Sequence, residues 1–123
     1  MTDLTLISVV DDDESVRESL PDLLRTLGYE ARAYASAGEF LRSSDLDESK
    51  CLILDVAMPE MSGPELQKEL RRRQNRIPII FITAHADQST RPQLIEEGAS
   101  DCLAKPFSDT ALIDALKIAL NEP

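Results

Sequence analysis

Four polar clusters stand at the ends of apolar runs. Asp11, Asp12 and Asp13 follow LTLISVV (4–10). Asp55 closes KCLILD (50–55). Thr83, Ala84 and His85 close or follow IPIIFIT (77–83), and Lys105 with Pro106 lies within ASDCLAKPF (99–107). Asp55 raises the sharpest question, because a carboxylate at the end of an apolar strand is costly unless something neutralises it. Asp11, Asp12 and Asp55 together would repel one another and raise their pKa values. A divalent ion with Lys105 balances those charges and leaves a neutral pocket able to accept a dianionic phosphoryl group. The oxygen-only ligand set favours Mg²⁺ or Mn²⁺ over zinc. In such a pocket Asp55 can act as a nucleophile and form an acyl phosphate. The ion, Lys105 and Thr83 would hold the phosphoryl oxygens, since this chemistry needs mainly positioning and charge stabilisation. Taken singly, each cluster has a plainer reading. Acids before a helix cap its N-terminus, Lys105-Pro106 is a loop, and Thr83 is a strand end. The joint pattern is what points to a site.

That pattern requires elements that bring the clusters together. LTLISVV (4–10), EARAYA (30–35), KCLILD (50–55), IPIIFIT (77–83) and a short run within 99–107 read as strands. IPIIFIT is continuous and apolar, as expected for a strand buried on both faces. Between and after them, 15–28, 37–44, 63–74, 87–98 and 108–120 read as helices. Gly28 and Gly98 are stop signals, Pro64 opens the helix over 63–74, and Ser108 or Asp109 caps the last one. SDLDES (44–49) reads as a polar, acidic loop. Alternating strands and helices imply an α/β domain with a parallel sheet and helices on both faces. In open sheets of that kind ligands bind at the carboxyl ends of the strands, where the four clusters lie.

Composition narrows the function classes. The chain has 123 residues, 42% of them hydrophobic, enough for one domain with one core. The net charge of −10 repels phosphate backbones, so no direct nucleic-acid binding is expected. The basic run RRR (71–73) falls at a helix end, where cations suit the dipole. No apolar run approaches the roughly 20 residues that span a bilayer, and the start lacks signal-peptide features. Cys51 and Cys102 sit in apolar surroundings and read as reduced, buried thiols. His85 is the only histidine, and no Cys/His spacing suggests zinc.

The motifs VVDDD, LDVAMPEMSG, FITAH and AKPF stand in the order found in the receiver domains of two-component response regulators. Over roughly 4–120 the sequence resembles that family. VRESLPDLLRTLGYEARAYASAGEFL and IPIIFITAHAD look most like receivers of the transcription-factor subgroup with a helix-turn-helix output domain. The resemblance implies a flavodoxin-like, doubly wound (βα)5 fold with a five-stranded parallel sheet in the order 2-1-3-4-5. It implies that Asp55 accepts phosphate from a sensor histidine kinase. Asp12 and Asp55 would bind Mg²⁺ directly, Asp11 through water, and the Ala57 carbonyl would supply another ligand. Thr83 would be the switch hydroxyl and Lys105 the phosphate-binding ammonium, with a cis peptide before Pro106. Residues 1–123 are read as one receiver domain, cytoplasmic, with a DNA-binding output domain in a longer chain or on a partner protein. A homodimer on phosphorylation is a further implication. The readout face would combine the helix over 87–98, the last strand and the last helix.

Three features depart from the family pattern. Cys102 occupies the position of the switch aromatic, three residues before the lysine, and is too small to act as that lever. Thr83 and the loop 84–87 are therefore expected to carry the change, moving the following helix. Pro21 and Pro92 fall inside predicted helices, where proline costs on the order of 3 kcal/mol unless the helix kinks or starts late. Other function classes fit less well. An aspartyl-phosphate phosphohydrolase needs a second acid two residues after the nucleophile, and Ala57 stands there. A flavin or nucleotide module needs a Gly- or Ser/Thr-rich loop where this chain has DDD. A phosphorylation-independent interaction module should lack the acids or the lysine. The expected protein is thus not an enzyme on a separate substrate; it catalyses only its own phosphorylation and dephosphorylation.

Overall fold

The computed structural model describes residues 4–84 and 90–121. Five strands, β1 (Leu6–Val10), β2 (Glu30–Tyr34), β3 (Cys51–Asp55), β4 (Ile79–Thr83) and β5 (Asp101–Ala104), form one sheet. All pairings are parallel and the order is β2-β1-β3-β4-β5. Six helices accompany them: α1 (Glu14–Thr26), α2 (Ala37–Leu41), α3 (Asp45–Glu48), α4 (Gly63–Arg72), α5 (Thr90–Glu96) and α6 (Asp109–Ala119). The order reverses direction between β1 and β3, which opens a crevice at the carboxyl edge there.

Every residue of β1 and β3 is buried. That explains runs without polar alternation, since helices cover both faces of these strands. The period of two still decides which face each side chain takes. Ile7, Val9, Cys51, Ile53, Ile80 and Ile82 pack with Leu20 and Leu24 of α1 and Leu112 and Leu116 of α6. Val10, Leu52, Leu54 and Phe81 pack on the other side with Phe40, Leu66, Leu70 and Leu94. Among the described residues no helix is long and apolar enough to cross a membrane.

Helix ends follow their local chemistry. Asp13 caps α1, its Oδ1 accepting from Ser15 N at 2.9 Å. Past α1, Gly28 has φ +101 and Tyr29 N returns to Leu24 O at 3.0 Å, a left-handed stop that suits glycine. Ser62 and Glu65 form a reciprocal capping box at α4, with Pro64 as the second helical residue rather than the first. Ser108, not Asp109, caps α6.

Three expectations need adjustment. The segment 44–49 is not a loop throughout, because α3 forms one helical turn there. Asp45 is buried; its carboxylate accepts from the Tyr34 hydroxyl, and its main-chain oxygen accepts from Ser49 N and Oγ. Ser49 Oγ lies 2.6 Å from Ser8 Oγ of β1, so a polar chain pins this turn to the sheet. Tertiary hydrogen bonds supply what apolar periodicity would normally signal. Pro92 is the third residue of α5, in the first turn, where N–H groups have no partner within the helix. Pro21, in contrast, lies inside a continuous α1 and is buried there.

Cys51 and Cys102 are both free thiols, as expected, but only Cys51 is fully buried; Cys102, on the edge strand β5, is partly exposed. They lie on β3 and β5, with β4 between, and pack on opposite faces of the sheet. Two strand spacings amount to about 9–10 Å, beyond the roughly 7 Å Cα separation that a disulfide tolerates. Burial pushes the Cys51 thiol up to about 12.

Candidate functional site

The carboxyl ends of β1, β3 and β4 and the residue after β5 deliver the predicted side chains to one edge. Asp11 is the first residue beyond β1 and has no exposed surface. Asp55 is the last residue of β3 and is 6% exposed. Asp12 is exposed beside them. One carboxylate oxygen from each of the three can be chosen so that all lie within 4.8 Å of one another. Lys105 follows β5 and reaches into this group. Its Nζ donates to Asp11 Oδ2 at 2.8 Å and lies 3.9 Å from Asp55 Oδ1. The Lys105–Pro106 peptide is cis, as the resemblance implies.

Thr83 ends β4, half-buried, and its carbonyl accepts from Lys105 N at 2.7 Å. In register, Ile82 sits beside Asp55 and Thr83 beside Ala104, so Thr83 stands at the same sheet edge as the acids. Ala57 lies two residues beyond Asp55, exposed in the loop that leads to α4. His85 and Asp87 lie outside the described residues.

The three consecutive acids divide their work. Asp13 turns away as the cap of α1, held below the usual carboxylate range by its bonds to the Ser15 hydroxyl and N–H. Asp11 and Asp12 face the pocket. Asp11 Oδ1 accepts from Asp13 N at 2.9 Å, which braces the turn. Capping thus falls to Asp13, while Asp11 and Asp12 lie beside Asp55.

Electrostatics follow from the crowding. Burial, then the charge of Asp11, pushes the Asp55 carboxyl up to about 7, against the opposing pull of Lys105. Burial works against the Lys105 ammonium, but its bond to Asp11 and the charges of Asp55 and Asp11 hold it above its ordinary value. Three carboxylates face one ammonium, so the fully ionised group is short of positive charge by two units. Hard oxygen donors with that deficit suit a divalent, oxygen-seeking cation. The residues therefore fit Mg²⁺ or Mn²⁺.

Two residues at this edge escaped the sequence reading. Gly63 opens α4 against the strand that bears Asp55, and its N–H bonds Val56 O at 3.0 Å. A Cβ at Gly63 would overlap the Asp55 carbonyl oxygen and come within 2.9 Å of Phe81 Cε1 and 3.1 Å of Val56 Cα. In the string SGPEL only a turn and a helix start are legible; nothing local signals the close approach. Arg17 is the second, and its Nη1 donates to the Asp11 carbonyl at 3.1 Å.

The doubly wound sheet gathers three acids and an ammonium at its switch point, a set that could hold a divalent cation. The chain belongs to the response regulator receiver domain family, whose model matches residues 7–117. Similar proteins include nodulation protein W of Bradyrhizobium diazoefficiens, 46% identical over 93% of this chain and 50% of that protein. The transcriptional regulatory protein FixJ of Azorhizobium caulinodans is 40% identical over 94% of this chain and 54% of its own length. Among solved structures, the response regulator StyR superposes with a TM-score of 0.88 at 43% identity, covering 97% of this chain and 60% of that one. The chain spans about half the length of the curated relatives it matches.

Proposed function

We propose that this single domain, residues 1–123, is the phospho-accepting switch of a two-component system. Asp55 takes a phosphoryl group from the phosphohistidine of a sensor kinase. A carboxylate oxygen attacks phosphorus as the bond to the histidine nitrogen breaks, leaving an acyl phosphate on Asp55; with the other ring nitrogen of the phosphohistidine protonated, the leaving group on the kinase is a neutral imidazole. The observation that carries this reading is the position of Asp55. It is nearly buried at a strand end, among two further carboxylates and one ammonium. A structural carboxylate would gain nothing from two acidic neighbours.

Asp11, Asp12, Asp55 and the Ala57 carbonyl would hold Mg²⁺. Bound there, the ion supplies the missing positive charge that lets Asp55 ionise at neutral pH and accept an anionic donor. Lys105 is within a short swing of Asp55 and moves from Asp11 to a phosphoryl oxygen. The Thr83 hydroxyl donates to another. No separate substrate is transformed. An apolar groove lined by Val16, Leu20, Pro106 and Phe107 opens beside Lys105, a surface suited to the protein that carries the phosphohistidine. The reading includes a cytoplasmic location and a DNA-binding output domain, in the same chain or on a partner.

Acetyl phosphate with Mg²⁺ should add one phosphoryl group at Asp55, read by intact-mass spectrometry. Asp55→Asn and chelation of Mg²⁺ should each abolish it. Labelling that ignores chelation, or that survives Asp55→Asn without moving to a neighbouring acid, refutes the mechanism.

The readout face follows from the small side chain at 102. Arg91 of α5 donates to Cys102 O at 3.3 Å and to Asp101 Oδ1 at 2.8 Å, tying α5 to β5. With no aromatic lever on β5, displacement of Thr83 is passed to α5 directly, and α5, β5 and α6 present the changed surface. Hydrogen exchange with a phosphoryl mimic should alter protection across 90–97. A change confined to 101–107 would return the lever to β5.

A further inference from the structure

Arg17 breaks the charge rule for its place. It is the fourth residue of α1, and a cation in a first turn opposes the helix dipole. Among the described residues it makes no ion pair. Its Nη1 goes instead to the main-chain oxygen of Asp11. That oxygen has no strand partner, because β1 pairs with β2 and β3 only as far as Val10. A buried carbonyl without a donor is costly, and Arg17 supplies the donor by folding back across the helix start.

The bond completes a set. Asp11 N donates to Tyr34 O at 3.1 Å, Asp11 Oδ1 accepts from Asp13 N, and Asp11 Oδ2 accepts from Lys105 Nζ. With Arg17 on the carbonyl, every polar atom of Asp11 is held. Asp12, the next residue, is exposed, and no hydrogen bond holds its side chain among the described residues. Its placement depends on the turn that Asp11 anchors.

We infer that Arg17 is a positioning residue for the cation site: by holding the Asp11 carbonyl it fixes the strand-to-helix turn from which Asp11 and Asp12 project, before any ion arrives. This rests on the reading that the three acids take a divalent cation. Ordering ligands in advance removes an entropic cost from binding. Groups that orient metal ligands typically contribute about tenfold or more in affinity. A rival role makes the opposite prediction. If Arg17 acted only as a distant positive charge, its removal would leave the pocket more negative and tighten the hold on a cation.

The sign of one measurement separates them. Mn²⁺ alone is titrated into wild type, Arg17→Ala and Arg17→Gln, and free Mn²⁺ is read by electron paramagnetic resonance. Thermal unfolding without metal verifies that each variant is folded, and the glutamine variant serves if the alanine variant is not. Positioning predicts a dissociation constant about tenfold higher for Arg17→Ala, with Arg17→Gln also weaker than wild type. It further predicts slower labelling by acetyl phosphate at limiting Mg²⁺ and a wild-type rate at saturating Mg²⁺. Unchanged or tighter Mn²⁺ binding in a folded variant overturns the inference. Wild-type protein that binds no Mn²⁺ and takes no phosphoryl group instead sinks the reading on which it rests.

Discussion

Gly63→Ala should be among the most damaging single-methyl additions in this domain. The added carbon would meet the Asp55 carbonyl oxygen, Val56 Cα and the Phe81 ring, and the first two are backbone that cannot turn aside. Overpacking usually costs about 1–3 kcal/mol, and backbone overlap puts this site at the upper end. For a domain of this size that corresponds to a melting temperature lower by about 10 °C. The strain also falls on the residue that the proposed chemistry needs. Relief requires α4 to retreat or the end of β3 to shift, and either moves Asp55 away from Asp11 and Lys105. Labelling by acetyl phosphate should therefore slow even at temperatures where the variant is fully folded. Gly28→Ala is the contrast. Its Cβ would meet nothing within 4 Å, so only the positive φ opposes it, a cost of about 1 kcal/mol. Calorimetry on the two variants, with labelling below the transition, checks both points. Equal losses for the two glycines would show that the close contact at Gly63 relaxes freely.

Asp55→Asn should stabilise the metal-free protein at pH 8. The Asp55 carboxyl is pushed up to about 7 in the fold, chiefly by burial and then by Asp11, from an ordinary value of 3.8. Between those values the folded protein holds a proton that the unfolded chain has released. Stability therefore falls as pH rises from about 4 to about 7, and the full penalty is present above 7. The shift corresponds to at most about 4 kcal/mol, which solvent screening brings to on the order of 3 kcal/mol. Asparagine keeps the shape and never ionises, so the variant avoids that penalty. Its melting temperature should exceed that of wild type by about 10 °C at pH 8, with the gap closing as pH falls toward 4. If Asp55 is a ligand as proposed, Mg²⁺ should reverse the ranking, since the ion would stabilise the wild-type carboxylate and find a weaker site in the variant. Melting curves over pH 4–8, with and without Mg²⁺, test this. A gap independent of pH would remove Asp55 as the cause, and a gap unaffected by Mg²⁺ would argue against its role as a ligand.

These two residues show where local sequence is informative. Asp55 is legible because an acid closing a run such as CLILD violates the ordinary rule for buried strands. Lys105 and Asp11 are legible for a related reason, since both follow apolar runs in a βα alternation. Gly63 is not legible. A glycine between a capping serine and a helix-opening proline already has a sufficient local explanation, and its contact with Phe81 spans elements that no periodicity links. Arg17 is hidden likewise, because an arginine in a first turn reads as ordinary surface charge until the end of β1 is seen beneath it.

The alternation of strands and helices and the placement of acids and a lysine at strand ends are legible in the linear order of residues, and with them the kind of chemistry proposed for the pocket. These are local properties: side-chain period, caps, and the polarity of one segment against the next. The strand order entered only through resemblance to a family. Packing settled which of the three consecutive acids caps α1 and which two face the pocket. It decided that Asp45 is buried in a helical turn by Tyr34 and Ser49, and that Lys105 bonds Asp11, 94 residues away, rather than Asp55. Each of these depends on the distance between atoms carried by different elements. Hydrogen bonds and buried charges are decided within a few tenths of an ångström, a scale that packing sets and a linear pattern does not record.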